Sequence, residues 1–252
     1  MFSVKNLYNN NNIKVVAEKG YFKVFEHQKD LSVSATDAVT AYFSSEMNIR
    51  KRQVLVELNG NAVTVQSGAM QWMLGNVVMG SGVKGVGNLF GKMVSSKVTG
   101  ESTIKPEYSG DGLLMLEPTY KHILLIDLKD WNNNIVLDDG LFLACESTVQ
   151  QKVTARSNVS SAVLGNEGLF NLSLVGNGIA VLESSVPQEE LIEIELENDC
   201  VKIDGNMAIA WSGSLNFTVE KSGKSLLGSA VSGEGLVNVY RGTGKILMAP
   251  TI

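Results

Sequence analysis

The sequence predicts an all-β protein in which one small unit is built three times around a pseudo-threefold axis. Three observations carry that expectation. A glycine-rich pattern recurs: Thr99-Gly100-Glu101-Ser102 precedes Gly110-Asp111-Gly112, Asn166-Glu167-Gly168-Leu169 precedes Gly176-Asn177-Gly178, and Gly233-Glu234-Gly235-Leu236 precedes Gly242-Thr243-Gly244. The leading glycines stand at 110, 176 and 242, a constant interval of 66 residues, and a constant interval marks one structural unit repeated. Apolar and polar residues alternate in runs such as Phe170, Leu172, Leu174 against Asn171, Ser173, which is the period of half-buried strands. Asn-Gly and Asp-Gly pairs at 59, 111, 139, 177 and 204 punctuate those runs, as tight hairpins require.

The copies span roughly 1–118, 119–184 and 185–252, in a single body with four scattered prolines and no linker composition. In the first, Val33, Ala35, Val63 and Val65 sit in strand-like runs. Residues 58–63 are the counterpart of 138–143 and 204–209, displaced by a glycine-rich insert at 75–87. In the second, 122–128 reads as a charged-apolar strand and 179–183 as the closing one; the third repeats both at 190–196 and 246–250. No segment carries an extended helical stripe. Each unit reads as a hairpin-rich sheet with one apolar face it cannot bury alone, and three such units closing around a pseudo-threefold axis hide their faces in a common core. Gly110, Gly112, Gly176, Gly178, Gly242 and Gly244 read as hairpin turns whose glycines supply positive φ. Glu101, Glu167 and Glu234 read as exposed turn residues.

Composition narrows the function. Of 252 residues 44% are apolar and only 19% charged, against ~25% charged in an average chain, so the body is heavily buried. Net charge is −5, without the basic footprint of a nucleic-acid binder. The densest basic run, Arg50-Lys51-Arg52, reads as a solvated cluster flanking a strand. Two cysteines, Cys145 and Cys200, are not equivalent under the 66-residue interval. They read as free, buried thiols in a reducing compartment. The start, Met1-Phe2-Ser3-Val4-Lys5, has neither signal-peptide nor transit-peptide pattern; the expectation is a cytoplasmic protein.

Catalytic patterns are weak. Gly80-Ser81-Gly82-Val83-Lys84-Gly85 matches a dinucleotide fingerprint literally, with Glu101 about the right distance away. That fingerprint needs a βαβ context, and here β patterns stand on both sides. Two histidines, His27 and His122, cannot supply a cupin-type metal set. His122 beside Asp127 or Glu117 offers a base, but a lone histidine at a strand start reads as structural. Trp72, Trp131 and Trp211 read as packing residues.

The residues also carry a family likeness. Trp72-Met73 ahead of the glycine-rich insert, the Thr-Gly-Glu stretch leading to Gly-x-Gly and an apolar strand, and the ending Gly233-Glu234-Gly235-Leu236 with Gly242-Thr243-Gly244-Lys245-Ile246 resemble the altered-inheritance-of-mitochondria family. That family was first classed as a domain of unknown function and has bacterial, archaeal and mitochondrial members. The likeness covers roughly 54–250. Ser102 departs where the other copies have Gly168 and Gly235, and Asn166 departs where they have Gly100 and Gly233. The resemblance implies a fold similar to that of the tryptophan RNA-binding attenuator protein, a short double-stranded β-helix or β-sandwich unit present three times; it does not imply an enzyme, and the family's mitochondrial members are associated with inner-membrane organisation. RNA binding does not transfer, because this acidic chain lacks a basic ring.

The expected function is a non-enzymatic scaffold or assembly protein. It would contact a protein partner or a membrane surface through Trp72, Gly80, Gly82, Lys84, Gly85 and Gly87, as a monomer or small homo-oligomer, with no cofactor, metal or nucleic acid. The alternative is a small-ligand module with a pocket at the repeat interface.

Overall fold

The computed structural model describes residues 2–80, 105–155, 170–221 and 236–250. Within them the chain is all-β with one α-helix. The strands are β1 (Ile13–Lys19), β2 (Phe22–His27), β3 (Arg52–Glu57), β4 (Ala62–Val65), β5 (Met70–Gly80), β6 (Glu107–Leu116), β7 (His122–Asp127) and β8 (Asn134–Leu137). They continue as β9 (Phe142–Glu146), β10 (Gln150–Ala155), β11 (Phe170–Val175), β12 (Ile179–Ser184), β13 (Ile192–Asp204), β14 (Ala208–Ser212), β15 (Asn216–Lys221) and β16 (Leu236–Met248). The helix, α1 (Ala38–Glu46), lies between β2 and β3.

One sheet runs β1-β2-β3-β6-β4-β9-β12-β7, with β5 also on β6; the other runs β10-β11-β8-β14-β16-β13, with β15 on β16. The ends of the first sheet, β1 and β7, touch and make it a near-closed barrel, and the second is a half-barrel. Burial on both faces explains the apolar runs. Val54 and Val56 enter one cluster with Phe22 and Leu114, while Leu55 between them enters another with Phe25 and Met115. Ile135 and Leu137 of β8 join Leu182 and Leu247, while Val136 joins Trp211 and Tyr240. Alternation therefore separates two cores rather than a core from solvent.

The pairing registers recur along the chain. Gln150 pairs with Val175 and Asn216 with Arg241, each partner displaced by 66 (150 to 216, 175 to 241). A bulge interrupts three pairings: β9 on β12 at Phe142 and Ala144, β14 on β16 at Ala208 and Ala210, and β5 on β6 at Met70 and Trp72; because the partners Leu182, Met248 and Leu116 stand 66 apart, the register aligns Met70, and not Ala62 as the 58–63 correspondence expected, with Phe142 and Ala208.

Four further expectations are corrected. The glycine pairs are not hairpin turns: Gly110 and Gly112 lie inside β6, Gly242 and Gly244 inside β16, and Gly176 and Gly178 in the short break between β11 and β12. At three of them, Gly110, Gly112 and Gly176, a neighbouring backbone presses close. A Cβ at Gly110 would collide with the Asn76 carbonyl, at Gly112 with the Leu74 carbonyl, and at Gly176 with the Thr148 carbonyl at 2.7 Å. The first half of the supposed insert loop, through Gly80, is regular strand, the end of β5. Val33 and Ala35 are not in a strand but in the turns before α1. Cys145 is buried as expected, but Cys200 is exposed on β13.

Candidate functional site

Between β2 and β3 the chain leaves the sheet for residues 28–51 and returns to the same ladder, where the Lys51 carbonyl accepts from the His27 N–H at 2.9 Å. Inside this excursion α1 is closed at its C-terminus by Asn48, whose φ of 63° lets the Ile49 N–H turn back to the Ser44 carbonyl at 2.9 Å. The helix is inverted in polarity. Its one buried residue is Ser45, while Val39 is 67% exposed, Phe43 62% and Met47, just past its end, 75%. Tyr42 stacks edge-on against Phe43 and is exposed with it, and Leu31 and Ile49 beside the helix are exposed as well. Scattered apolar residues are normal on a surface; a contiguous group on one short element marks a contact site.

Charged side chains fasten this shelf from below. Glu26 is buried and accepts from Arg50 at 2.9 Å and Arg52 at 2.8 Å. Arg52, also buried, donates on to the Asn48 side chain at 2.7 Å, tying the helix end to the sheet. Lys51 pairs with Asp30 at 2.6 Å, and the Tyr120 hydroxyl donates to the same carboxylate at 3.1 Å. Burial pushes Glu26 up, but Arg50 and Arg52 outweigh it and hold the carboxyl below its ordinary range. Lys51 and Ser32 hold Asp30 low. Arg50-Lys51-Arg52 is thus not a solvated cluster: two of the three are spent on Glu26 and the third on Asp30.

A cavity of about 360 Å³ opens beneath α1, lined among others by His27, Asp30, Asp37, Ser45, Arg50 and Tyr120. His27 lies 3.0 Å from the Gln53 amide oxygen. Of the two carboxylates that line it, Asp30 is engaged by Lys51 and Asp37 accepts from the Ser34 hydroxyl. His122 begins β7, half-buried; burial and the charge of Arg52 lower its pKa. Asp127, offered as its partner, instead accepts from the Lys129 N–H at 3.0 Å. Among the described residues no three His, Cys, Asp or Glu side chains cluster to hold a metal ion, and no helix is long and apolar enough to cross a membrane.

Of the residues expected to form a contact surface, Trp72 is half-buried, packed on Phe25, Leu55 and Met115, and Gly80 ends β5 in an exposed position. Gly82, Lys84, Gly85 and Gly87 lie outside the described residues, as do Glu101, Glu167 and Glu234. The α1 shelf was missed by sequence reasoning. Its signal was present: Val39, Tyr42, Phe43 and Met47 follow helical spacing between the helix formers Ala38 and Ala41.

The fold and this site define a two-sheet β-protein bearing one exposed apolar helix on an ion-paired base. The chain belongs to the mitochondrial biogenesis AIM24 family, whose model matches residues 11–251. It is 32% identical over 203 residues to an uncharacterized protein of Streptococcus pyogenes serotype M6, covering 76% of this chain and 79% of that one. Its structure is similar to a crystal structure of a Streptococcus pyogenes protein, with a TM-score of 0.57 and 29% identity over 81% of this chain and 90% of the other.

Proposed function

We propose that this protein is a non-enzymatic assembly protein that presents the α1 shelf to a protein partner. The observation that carries the reading is the inverted helix: it buries a serine and exposes Val39, Tyr42, Phe43 and Met47. Leaving such a group in water is unfavourable by ~25 cal/mol per Å² of apolar surface that a partner would otherwise cover. A protein partner fits better than an anionic membrane, because Arg50, Lys51 and Arg52 beneath the shelf are already paired with acids. The body behind the shelf is one unit built three times, in the manner of the attenuator protein; its support is the 66-residue recurrence of register and the bulge shared by the pairings β5 on β6, β9 on β12 and β14 on β16. The test is Phe43→Ser with Met47→Ser, assayed by sedimentation with native extract and by flotation on vesicles. The reading expects an unchanged fold, loss of co-sedimenting protein and no vesicle binding by either form. Vesicle binding lost in the variant would replace the protein partner with a membrane.

The cavity under α1 favours a second reading, a small-ligand module. Its volume falls at the lower end of the ~300–1,000 Å³ typical of ligand sites. Native mass spectrometry of freshly purified protein would show an added mass; a clean single-chain mass argues against it.

A further inference from the structure

We infer that β5 and β13 are complementary sheet edges through which one copy of this chain pairs head-to-tail with a second copy. The inference rests on the three-unit reading above and takes it one step further.

Two joints within the chain have the same form. At the first, β4 pairs with β9: Val63 with Glu146, Thr64 with Cys145, Val65 with Ala144. At the second, β8 pairs with β14: Ile135 with Ser212, Val136 with Trp211, Leu137 with Ala210. In each, the strand contributed by the later unit carries the bulge described above, at Phe142 and Ala144 or at Ala208 and Ala210. The third bulged strand is β5, at Met70 and Trp72, and among the described residues it has no strand on its other edge. The strand that continues the series β4, β8 is the second half of β13: Leu137 pairs with Leu172 and, 66 residues on, Ile203 pairs with Asn238. That half of β13 is likewise without a second partner among the described residues.

Carrying the register of the first two joints to the third sets Ile203 opposite Trp72, Lys202 opposite Met73 and Val201 opposite Leu74. The match is chemical as well as numerical. Ile203 and Val201 would meet Trp72 and Leu74 on one face, and apolar cross-strand pairs are what stabilise such a seam. β5 carries no charged residue over its eleven positions, and Met73, Val78 and Met79 on it are exposed. Free edges are ordinarily guarded by charge or bulges. The first half of β13 is guarded in that way, by Glu193, Glu195 and a bulge between Leu196 and Asp199. The half that continues the series carries only Lys202 within 200–203. Because the two edges are different surfaces, their contact between copies is heterologous and builds a ring or a chain of copies.

The test uses two single variants in a Cys200→Ser background, Met73→Cys and Lys202→Cys, both at exposed positions. Mixed and mildly oxidised, they should give a disulfide-linked dimer containing one of each, at least tenfold more than either variant alone. Equal homodimers from one variant alone would overturn the heterologous contact. A double variant that crosslinks only within one chain would overturn the second copy, since the third joint then closes internally. Thr64→Cys is the control, refolded from urea in the presence of the oxidant because Cys145 is buried in the native protein: it should join Cys145, its partner across the first joint. If the control forms and the mixture does not, the second-copy inference fails alone. If the control also fails, the joint register, and with it the three-unit reading, fails.

Discussion

Glu26 and Arg52 are cross-strand partners on β2 and β3, and the Arg52 guanidinium closes on the Glu26 carboxylate at 2.8 Å with both residues buried. The pair stands at the point where the chain leaves the sheet for α1 and returns, so it connects the stability of the body to the position of the shelf. Arg52→Met should destabilise the protein by about 3–5 kcal/mol, because it leaves a buried carboxylate with one cation instead of two. Replacing both members, Glu26→Leu with Arg52→Met, should recover much of that loss. Urea denaturation of the wild type and the two variants checks this.

The same pair sets a pH dependence. Glu26 is held below its ordinary range in the folded protein, so its pairing stabilises the fold above the carboxyl range of the unfolded chain. That stability is lost as pH falls toward the folded-state value. Wild type should lose stability on acidification more steeply than Glu26→Gln. Denaturation midpoints between neutral and acid pH measure the difference.

The bends in β6 should tolerate no side chain. A Cβ at Gly110 meets the Asn76 carbonyl, in a backbone of φ 120°. Strain and overpacking of ~1–3 kcal/mol each act together there. Gly68→Ala, with φ 82° and nothing within 4 Å, should carry the strain alone. Thermal melts should therefore rank Gly110→Ala well below Gly68→Ala.

The two cysteines should differ in reactivity. Burial pushes the Cys145 thiol up to about 12, while Cys200 is exposed on β13. Folded protein should release one equivalent of chromophore quickly to a thiol reagent, and the second only when unfolded. Fast reaction of both would contradict the buried placement of Cys145.

Much of this was legible in the sequence, and the gaps have physical causes. Alternation placed β11 correctly, and Asn59-Gly60 is a turn with φ of 41° and 81°. The glycine pairs were found but misread. A glycine at a bend under a neighbouring carbonyl leaves the same trace in sequence as one in a hairpin, and Gly110 and Gly176 are told apart from Gly60 only by what lies above them. Arg50-Lys51-Arg52 looked solvated because its acceptor, Glu26, is 24 residues from Arg50. The α1 shelf was missed for a different reason. A helix that turns its apolar residues outward breaks the rule by which helices are read as core-facing, and that departure is why it serves as the candidate site.

The most direct measurement of the account is a photo-crosslinking residue placed at Phe43, with the same residue at Val16 on the exposed body strand β1 as control. In the native host the position-43 form should give a discrete protein adduct that Met47→Ser abolishes and the position-16 form lacks. Adducts equal at both positions, or with lipid alone at position 43, would contradict a shelf that docks a protein.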